Sequence, residues 1–407
     1  MKKHLPLIIF AFVALIPWAL FLFCLKQTSR VVIGPYQAQN IPGKPDPATS
    51  TPVRRPPIEI VLPAIKPTIT LGVARVSAQS AKIFAYAHGT AVAKGKIFIG
   101  MADVAGNTFD SNQLIVFDNA ADISRNSLVH LPLEGDLQDL IYDDVNDRIY
   151  LLLSSSSALN IFSLNPYNKA LSVIISTTSV NVGRKPAMVT DGAYIYGITN
   201  TEPSTVFKVK IADGELMTSS LGHISKGHSA ALGRFGSTTE LYFGGGMSDE
   251  FEKVDALTLS SLGKVKVNPC SMTDDMPFMK QSSSYGYVYI GCEMVPYGLR
   301  VRTDNLSFER FSLLGSSLGF FVFNSDLYNA ARDGFLDIFP KADIRKMERY
   351  WVVNDIEPFE TKGQSLELNE ILSVPDTKEL FFTAWYGIRG LYKFSTSTLE
   401  SLVKAGI

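Results

Sequence analysis

Gly315-Ser316-Ser317-Leu318-Gly319 is spaced like a hydrolase nucleophile motif. In that motif the serine sits on a sharp turn between a strand and a following helix, where its hydroxyl can attack a carbonyl. Here Phe320-Phe321-Val322-Phe323 follows, an apolar strand pattern, so the segment is expected to be a loop between repeats. Asp143-Asp144-Val145-Asn146-Asp147 has enough carboxylate to hold calcium. It lacks the alternating acids and the glycine of a dedicated calcium loop, and Asp and Asn at this density suit a hairpin turn. His223 and His228 could share a metal only with ligands from elsewhere in the chain, since no Cys or Glu at ligand spacing accompanies them. Gly244-Gly245-Gly246 is not followed by a helix that could offer its N-terminus to phosphate, so a bulge or a close approach of neighbouring segments is expected there.

Two further groups are better suited to binding than to catalysis. Trp385, Tyr386 and Arg389 lie close together in Trp385-Tyr386-Gly387-Ile388-Arg389, and aromatic residues beside arginine commonly anchor interfaces. Arg184, Asp274 and Asp275 precede apolar strand patterns, His228 stands near the start of one, and Tyr297 occupies a position matching the Trp385 segment in another repeat. Whether any of these residues meet depends on the strands that carry them.

Those strands repeat. Arg148-Ile149-Tyr150-Leu151-Leu152-Leu153 is an apolar strand, followed by a polar turn, a second strand over Leu159–Leu164, the turn Asn165-Pro166-Tyr167-Asn168 and a third strand over Leu171–Ile175. Leu140-Ile141-Tyr142 precedes them as a fourth. The unit recurs with an aromatic anchor at Phe98, Tyr150, Tyr196, Tyr242, Tyr289, Tyr328 and Phe381, at a mean spacing of about 47 residues, the length of a four-stranded propeller blade. Third-strand patterns recur after the anchors, as in Val206–Lys210, Phe251–Asp255 and Phe335–Phe339. The expected fold is all-β, a seven-bladed β-propeller of four-stranded blades over residues 69–407, each blade burying its faces against its neighbours. Closure is open between two strands: Thr70–Val76, or Leu402-Val403-Lys404. In this architecture the candidate binding residues fall on one face, around the mouth of the central channel.

The stretch from Arg148 to Ile174 resembles a blade of the YVTN-type propeller repeats, with arginine, aliphatic and tyrosine, then a polar turn, an aliphatic strand and an Asn-bearing turn. Tyr196-Gly197-Ile198-Thr199-Asn200 is similar to the family's namesake tetrapeptide with one residue inserted. The resemblance covers roughly residues 80–407 and is one of fold. It implies kinship with surface and periplasmic propellers, some of which are lactonases. WD40 propellers are not resembled: no Trp-Asp dipeptide closes a third strand, and the three tryptophans are Trp18, Trp351 and Trp385.

Ahead of the repeats, Leu5 to Leu25 is apolar and uncharged, about the 20 residues a helix needs to cross a bilayer. A cleaved signal peptide would have a shorter apolar core and small residues at its end, whereas Phe23-Cys24-Leu25-Lys26 ends this run. Residues 1–30 are therefore expected to be a membrane anchor with a transmembrane helix over 5–25. The short leading tail favours an inward N-terminus and an extracytoplasmic domain, at the cell surface or in a periplasm. Nine prolines between Pro35 and Pro67 mark residues 31–68 as an extended linker.

Lys+Arg 38 against Asp+Glu 39 gives a net charge of -1, which argues against a nucleic-acid partner. Cys270 and Cys292 could bridge in an oxidising compartment or remain separate buried thiols. No catalytic constellation stands out, and neither a cofactor nor a metal is expected. The reading is a binding module for a protein, peptide or glycan. A lactonase-type hydrolase with a cation at the channel mouth is the alternative, and would need acids converging from several blades.

Overall fold

The computed structural model describes residues 60–65, 69–75, 87–101, 113–119, 126–130, 136–155, 158–222, 224–246, 249–267, 270–273, 276–313, 315–331, 334–354, 368–374, 378–384 and 390–397. The anchor at 5–25 and most of the linker lie outside the described residues. Among the described residues no helix is long and apolar enough to cross a membrane.

Strand pairing follows the predicted repeat. Antiparallel sheets form over 87–130, 136–177, 187–221, 227–266, 278–312, 317–354 and 368–395, each running in chain order from an inner to an outer strand. These are blades one to seven of a β-propeller. Every anchor aromatic lies on the second strand of its blade and is buried: Phe98, Tyr150, Tyr242 and Phe381 are fully enclosed, and Tyr196, Tyr289 and Tyr328 nearly so.

The core is divided into seven wedges, one between each pair of neighbouring blades. Each anchor enters the wedge shared with the blade that follows. Phe98 packs with Leu140 and Leu151 of blade two, Tyr150 with Ile195 and Phe207 of blade three, and Tyr196 with Leu241 and Phe243 of blade four. Tyr242 packs with Val288 and Leu299, Tyr289 with Leu327 and Phe339, and Tyr328 with Leu380 and Phe382. Phe381 of blade seven closes the ring against Ile97, Ile115 and Phe117 of blade one. The alternation of side chains along a strand sends one set forward and the other back, which is why a period-two pattern can fill two wedges at once. Burying one such ring stabilises the fold by about 1.5–3 kcal/mol.

Polar groups complete the wedges. The Tyr150 hydroxyl donates to Asp143 at 3.1 Å, that of Tyr196 to Asp191 at 2.9 Å and that of Tyr242 to Glu240 at 2.5 Å. Burial, reinforced by these carboxylates, pushes all three phenols well above their ordinary range and keeps them protonated donors. Directly opposite two of the anchors sit lysines: Lys208 faces Tyr196 and Lys253 faces Tyr242. Lys208 donates across to the Leu257 carbonyl of blade four at 3.2 Å, and Lys253 to the Thr303 carbonyl of blade five at 3.0 Å. The predicted turn after Asp143 is also present, with the Asp143 carboxylate accepting the Val145 N–H at 3.0 Å.

Blade six carries a buried polar row across all four strands. Ser317 donates to Asn329 at 2.6 Å, Asn329 to Asp337 at 3.0 Å, and Arg349 grips Asp337 with two bonds of 2.6 and 2.9 Å. Burial raises the pKa of the Asp337 carboxyl, and the Arg349 guanidinium opposes that shift. The serine of the hydrolase-like motif is thus fully enclosed and occupied in packing, at the start of the inner strand Ser317–Phe323.

Closure comes from the N-terminal side. The strand β1 (Ile60–Val61) pairs in parallel with the outer strand of blade five, Ile60 opposite Arg310. The strand β2 (Ala64–Ile65) pairs in parallel with the outer strand of blade six, Ala64 opposite Lys346. The strand β3 (Ile69–Arg75) continues along that strand from Tyr350 to Asn354, then pairs antiparallel with Gly390–Ser395 as the outer strand of blade seven. Of the two closing strands the sequence allows, the early one closes the ring; Leu402–Lys404 lies outside the described residues. The last part of the expected linker is therefore a strap on the propeller rim. Two-residue pairings at a sheet edge tolerate a proline between them, which an inner strand would not.

Removing residues 1–57 should leave a cooperatively melting propeller, whereas removing 1–75 should abolish the cooperative transition; circular dichroism melts of the two truncations check this. In blade six, Asp337→Ala leaves a buried guanidinium without its carboxylate and should cost about 3–5 kcal/mol in urea denaturation. Pairing Asp337→Leu with Arg349→Met should recover most of that loss.

Candidate functional site at the channel mouth

Antiparallel four-stranded blades place the turns between first and second strands, and between third and fourth, on one face of the disc. The other face receives the second-to-third loops and the connections between blades. The inner strands surround a central channel. Its wall is made by inner strands of all seven blades, from Thr90 and Ala91 of blade one to Ile371 and Leu372 of blade seven, and it encloses 660 Å³.

The wall is uneven. Gln138 and Asp139 of blade two, Lys185 beside blade three and His228 of blade four bring polar and charged side chains to one side. On the other side lie Met276, Phe320, Phe321, Ile371 and Leu372 of blades five to seven, with Met276, Phe320 and Leu372 themselves buried in the wedges. The polar groups are fixed by the fold: the Asp139 carboxylate accepts the Met188 N–H at 2.7 Å and the Gln138 carbonyl accepts the Lys185 N–H at 2.8 Å, tying blade two to blade three. A register shift between Leu137 and Asp139 in the inner strand of blade two accompanies them.

A second hollow of 450 Å³ adjoins the mouth, over blades three to five. Lys226, Asp249, Glu293 and the exposed side chain of Met294 surround it, and His228 lines both hollow and channel. Gly246 lets the His228 ring lie where it does, because a Cβ there would stand 2.2 Å from its Cδ2. A Cβ on Gly244 would likewise stand 2.2 Å from the Met272 sulfur, so the triple glycine marks the close approach expected of it.

The wall of this hollow is covalently tied. Cys270, in the connection from blade four to blade five, is bridged to Cys292 at the end of the second strand of blade five, with an S–S distance of 2.09 Å. Of the two states the sequence leaves open, the bridged one is present. Around the bridge the Cys270 N–H donates to Asp249 at 3.2 Å, Glu293 N–H to the Ser271 carbonyl at 2.8 Å, and the Ser271 hydroxyl to the Gly246 carbonyl. A bridge across 22 residues limits the freedom of the unfolded chain.

The expected binding residues separate. His228 stands at the mouth, where channel and hollow meet. Arg184 is exposed on the same face, in the connection from blade two to blade three. Its neighbour Gly183 adopts φ 70 and passes so close to Asn200 that a Cβ would collide with the Asn200 carbonyl. Tyr297 departs from the expectation. It begins the third strand of blade five and is 8 % exposed, packed in the wedge of Cys270, Met272 and Cys292 with the Arg310 guanidinium 5.7 Å from its ring. It is part of the core because the strand starts at Tyr297 itself, leaving the preceding turn to Glu293 and Met294. Asp274, Asp275, Trp385, Tyr386 and Arg389 lie outside the described residues, as does His223. Among the described residues no three His, Cys, Asp or Glu side chains gather closely enough to hold a metal ion.

No family model and no curated protein matches the chain. Solved structures do. Sqt1 of Saccharomyces cerevisiae is 10% identical, with a TM-score of 0.56, over 81% of this chain and 99% of that one. A chain of the Mitotic Checkpoint Complex is 9% identical, with a TM-score of 0.54, over 88% and 99% of the two chains. At such identities the likeness is one of fold, and a fold shared by many activities transmits none of them. The protein is a seven-bladed β-propeller with a disulfide-tied hollow beside its channel mouth.

Replacing Cys270 and Cys292 together with serine should lower stability by about 2–4 kcal/mol, read in urea with and without reductant. Reductant should lower the native protein's stability towards that of the double variant and leave the double variant unchanged.

Proposed function

We propose that this chain is a membrane-anchored, extracytoplasmic propeller of the YVTN type that binds a protein, peptide or glycan partner through its channel-mouth face. The observation that carries the reading is the mouth itself. A channel and an adjoining hollow meet at His228, both built on strands and turns that blade packing holds in place, and exposed Met294 lines the hollow together with charged Glu293 and Lys226. Preformed concave sites with a few convergent polar groups are where proteins take ligands. The location draws support from two features. Leu5–Leu25 has the length and composition of a membrane span, and the Cys270–Cys292 bridge is of a kind that persists in oxidising compartments.

Protease added to intact cells expressing the full chain should cleave the proline-rich linker and release the propeller. Protection until lysis would overturn the extracytoplasmic location. Crosslinking on those cells should capture a partner with the wild-type chain, and Lys226→Glu with Met294→Asp should reduce capture about tenfold or more. Undiminished capture by this double variant would move the binding surface off the mouth.

A further inference from the structure

A hollow of 490 Å³ lies between blades two and three, on the face that carries the turns, and shares no residue with the channel or with the hollow at its mouth. We infer that it binds a neutral sugar unit through that unit's hydroxyl groups, at a site separate from the mouth described above. Ser163 stands directly opposite Tyr150 on one side and Ser172 on the other, so the three share the face of blade two that turns to blade three. Arg148, two residues before Tyr150 on the same strand, falls on that face as well. Blade three closes the hollow through two contacts. The Asn146 side chain donates to the Gly192 carbonyl at 2.5 Å. The turn at Gly214, with φ 75, passes so close to blade two that a Cβ there would stand 2.5 Å from the Ile174 carbonyl oxygen, a conformation and an approach that suit glycine alone.

The hydrogen-bonding capacity that the protein leaves unused in this wall is of both kinds. Ser163 is 9 % exposed and lines the hollow, and its hydroxyl has no partner among the described residues; nor has that of Ser172. The Arg148 guanidinium donates to the Asp147 carbonyl at 2.9 Å through Nη1, and its Nε and Nη2 hydrogens meet no acceptor among the described residues. Asn146 uses both amide hydrogens, on Asp143 at 2.7 Å and on Gly192, which fixes its orientation and leaves its carbonyl oxygen as an acceptor. Tyr150 donates to Asp143 and keeps its own lone pairs, and Asp213, held by Lys210 at 2.5 Å, retains acceptor sites. An anion would suit Arg148 and the serines but would face the oxygens of Asn146, Tyr150 and Asp213. A cation would face Arg148. An apolar group would leave a nearly buried hydroxyl unsatisfied, which is costly. Sugar hydroxyls donate and accept at once, so they can engage every one of these groups. The volume lies within the range of about 300–1,000 Å³ typical of ligand sites.

The test is saturation-transfer difference NMR on the full chain in nanodiscs, with glucose, galactose, mannose and N-acetylglucosamine as probes and inorganic phosphate as an anionic competitor. The expected result is saturation of at least one sugar, undisplaced by phosphate. Its affinity should fall about tenfold in Arg148→Gln and about threefold or more in Ser163→Ala. It should be lost in Ser172→Phe, which fills the hollow from an exposed strand position. Lys266→Gln, on the exposed outer strand of blade four, should leave it unchanged. Ser163→Ala removes a hydroxyl that holds no other group of the protein, so its urea midpoint should match that of the wild type, and its weaker binding then reports a lost contact with the sugar. Saturation of none of the four sugars, displacement by phosphate, or an affinity indifferent to both Arg148→Gln and Ser172→Phe would overturn the inference.

Discussion

The structure depends on one repeated contact: an aromatic ring on the second strand of each blade, buried in the wedge it shares with the next. No blade encloses its own anchor. Tyr150 is covered by Ile195 and Phe207 of blade three, and Phe381 by residues of blade one, so each wedge needs the next blade and the last one needs the ring to close. The hydroxyls of Tyr150, Tyr196 and Tyr242 reach carboxylates at the turn side of the same blade, which satisfies a buried donor without breaking the apolar packing. Lys208 and Lys253 then link blades three and four to a carbonyl of the blade that follows each. Local hairpin geometry and global closure are therefore specified by the same few side chains.

That arrangement leaves the centre of the disc available. Because stability resides in the wedges, the inner strands need not fill the channel. Their side chains can differ from blade to blade, and here Gln138, Asp139, Lys185 and His228 come from blades two to four. Asp139 and Gln138 serve both purposes, since the hydrogen bonds that hold them to Met188 and Lys185 also join two blades. The disulfide lies buried in the wedge between blades four and five, beside the connection that joins them. The bridge between Cys270 and Cys292 fixes that connection beside the mouth.

The fold was legible because its signal is periodic. Tyr150, Tyr196 and Tyr242 recur at blade spacing with the same neighbours, and seven such hairpins over one chain leave few other architectures. The site was less legible. Arg184 could be placed because it precedes an inner strand and His228 because it stands near the start of one, and strand order fixes which face those starts share. Asp139 gave little warning: a carboxylate inside Asp136–Asp143 looks like the polar half of an alternating strand, and only the shifted register directs it to Met188. Tyr297 misled for the opposite reason, since a loop aromatic and the first residue of a strand look alike in sequence while one faces solvent and the other the core. The rim strap was hidden by its prolines. Two-residue strands carry no period to detect, and Pro63 and Pro67 are the same residues that identify an extended linker.

The strap also determines how the disc would bear load. Tension entering through the residues before Ile60 first meets the parallel pairing of β1 with blade five, then that of β2 with blade six, and only afterwards β3, on which closure rests. A pull along the strand axis strains the hydrogen bonds of each short pairing together, in shear, instead of opening them one at a time. The two short pairings, of two residues each, stand between the preceding chain and β3. The closing strand is therefore the last of the three to take up a pull that enters from that side.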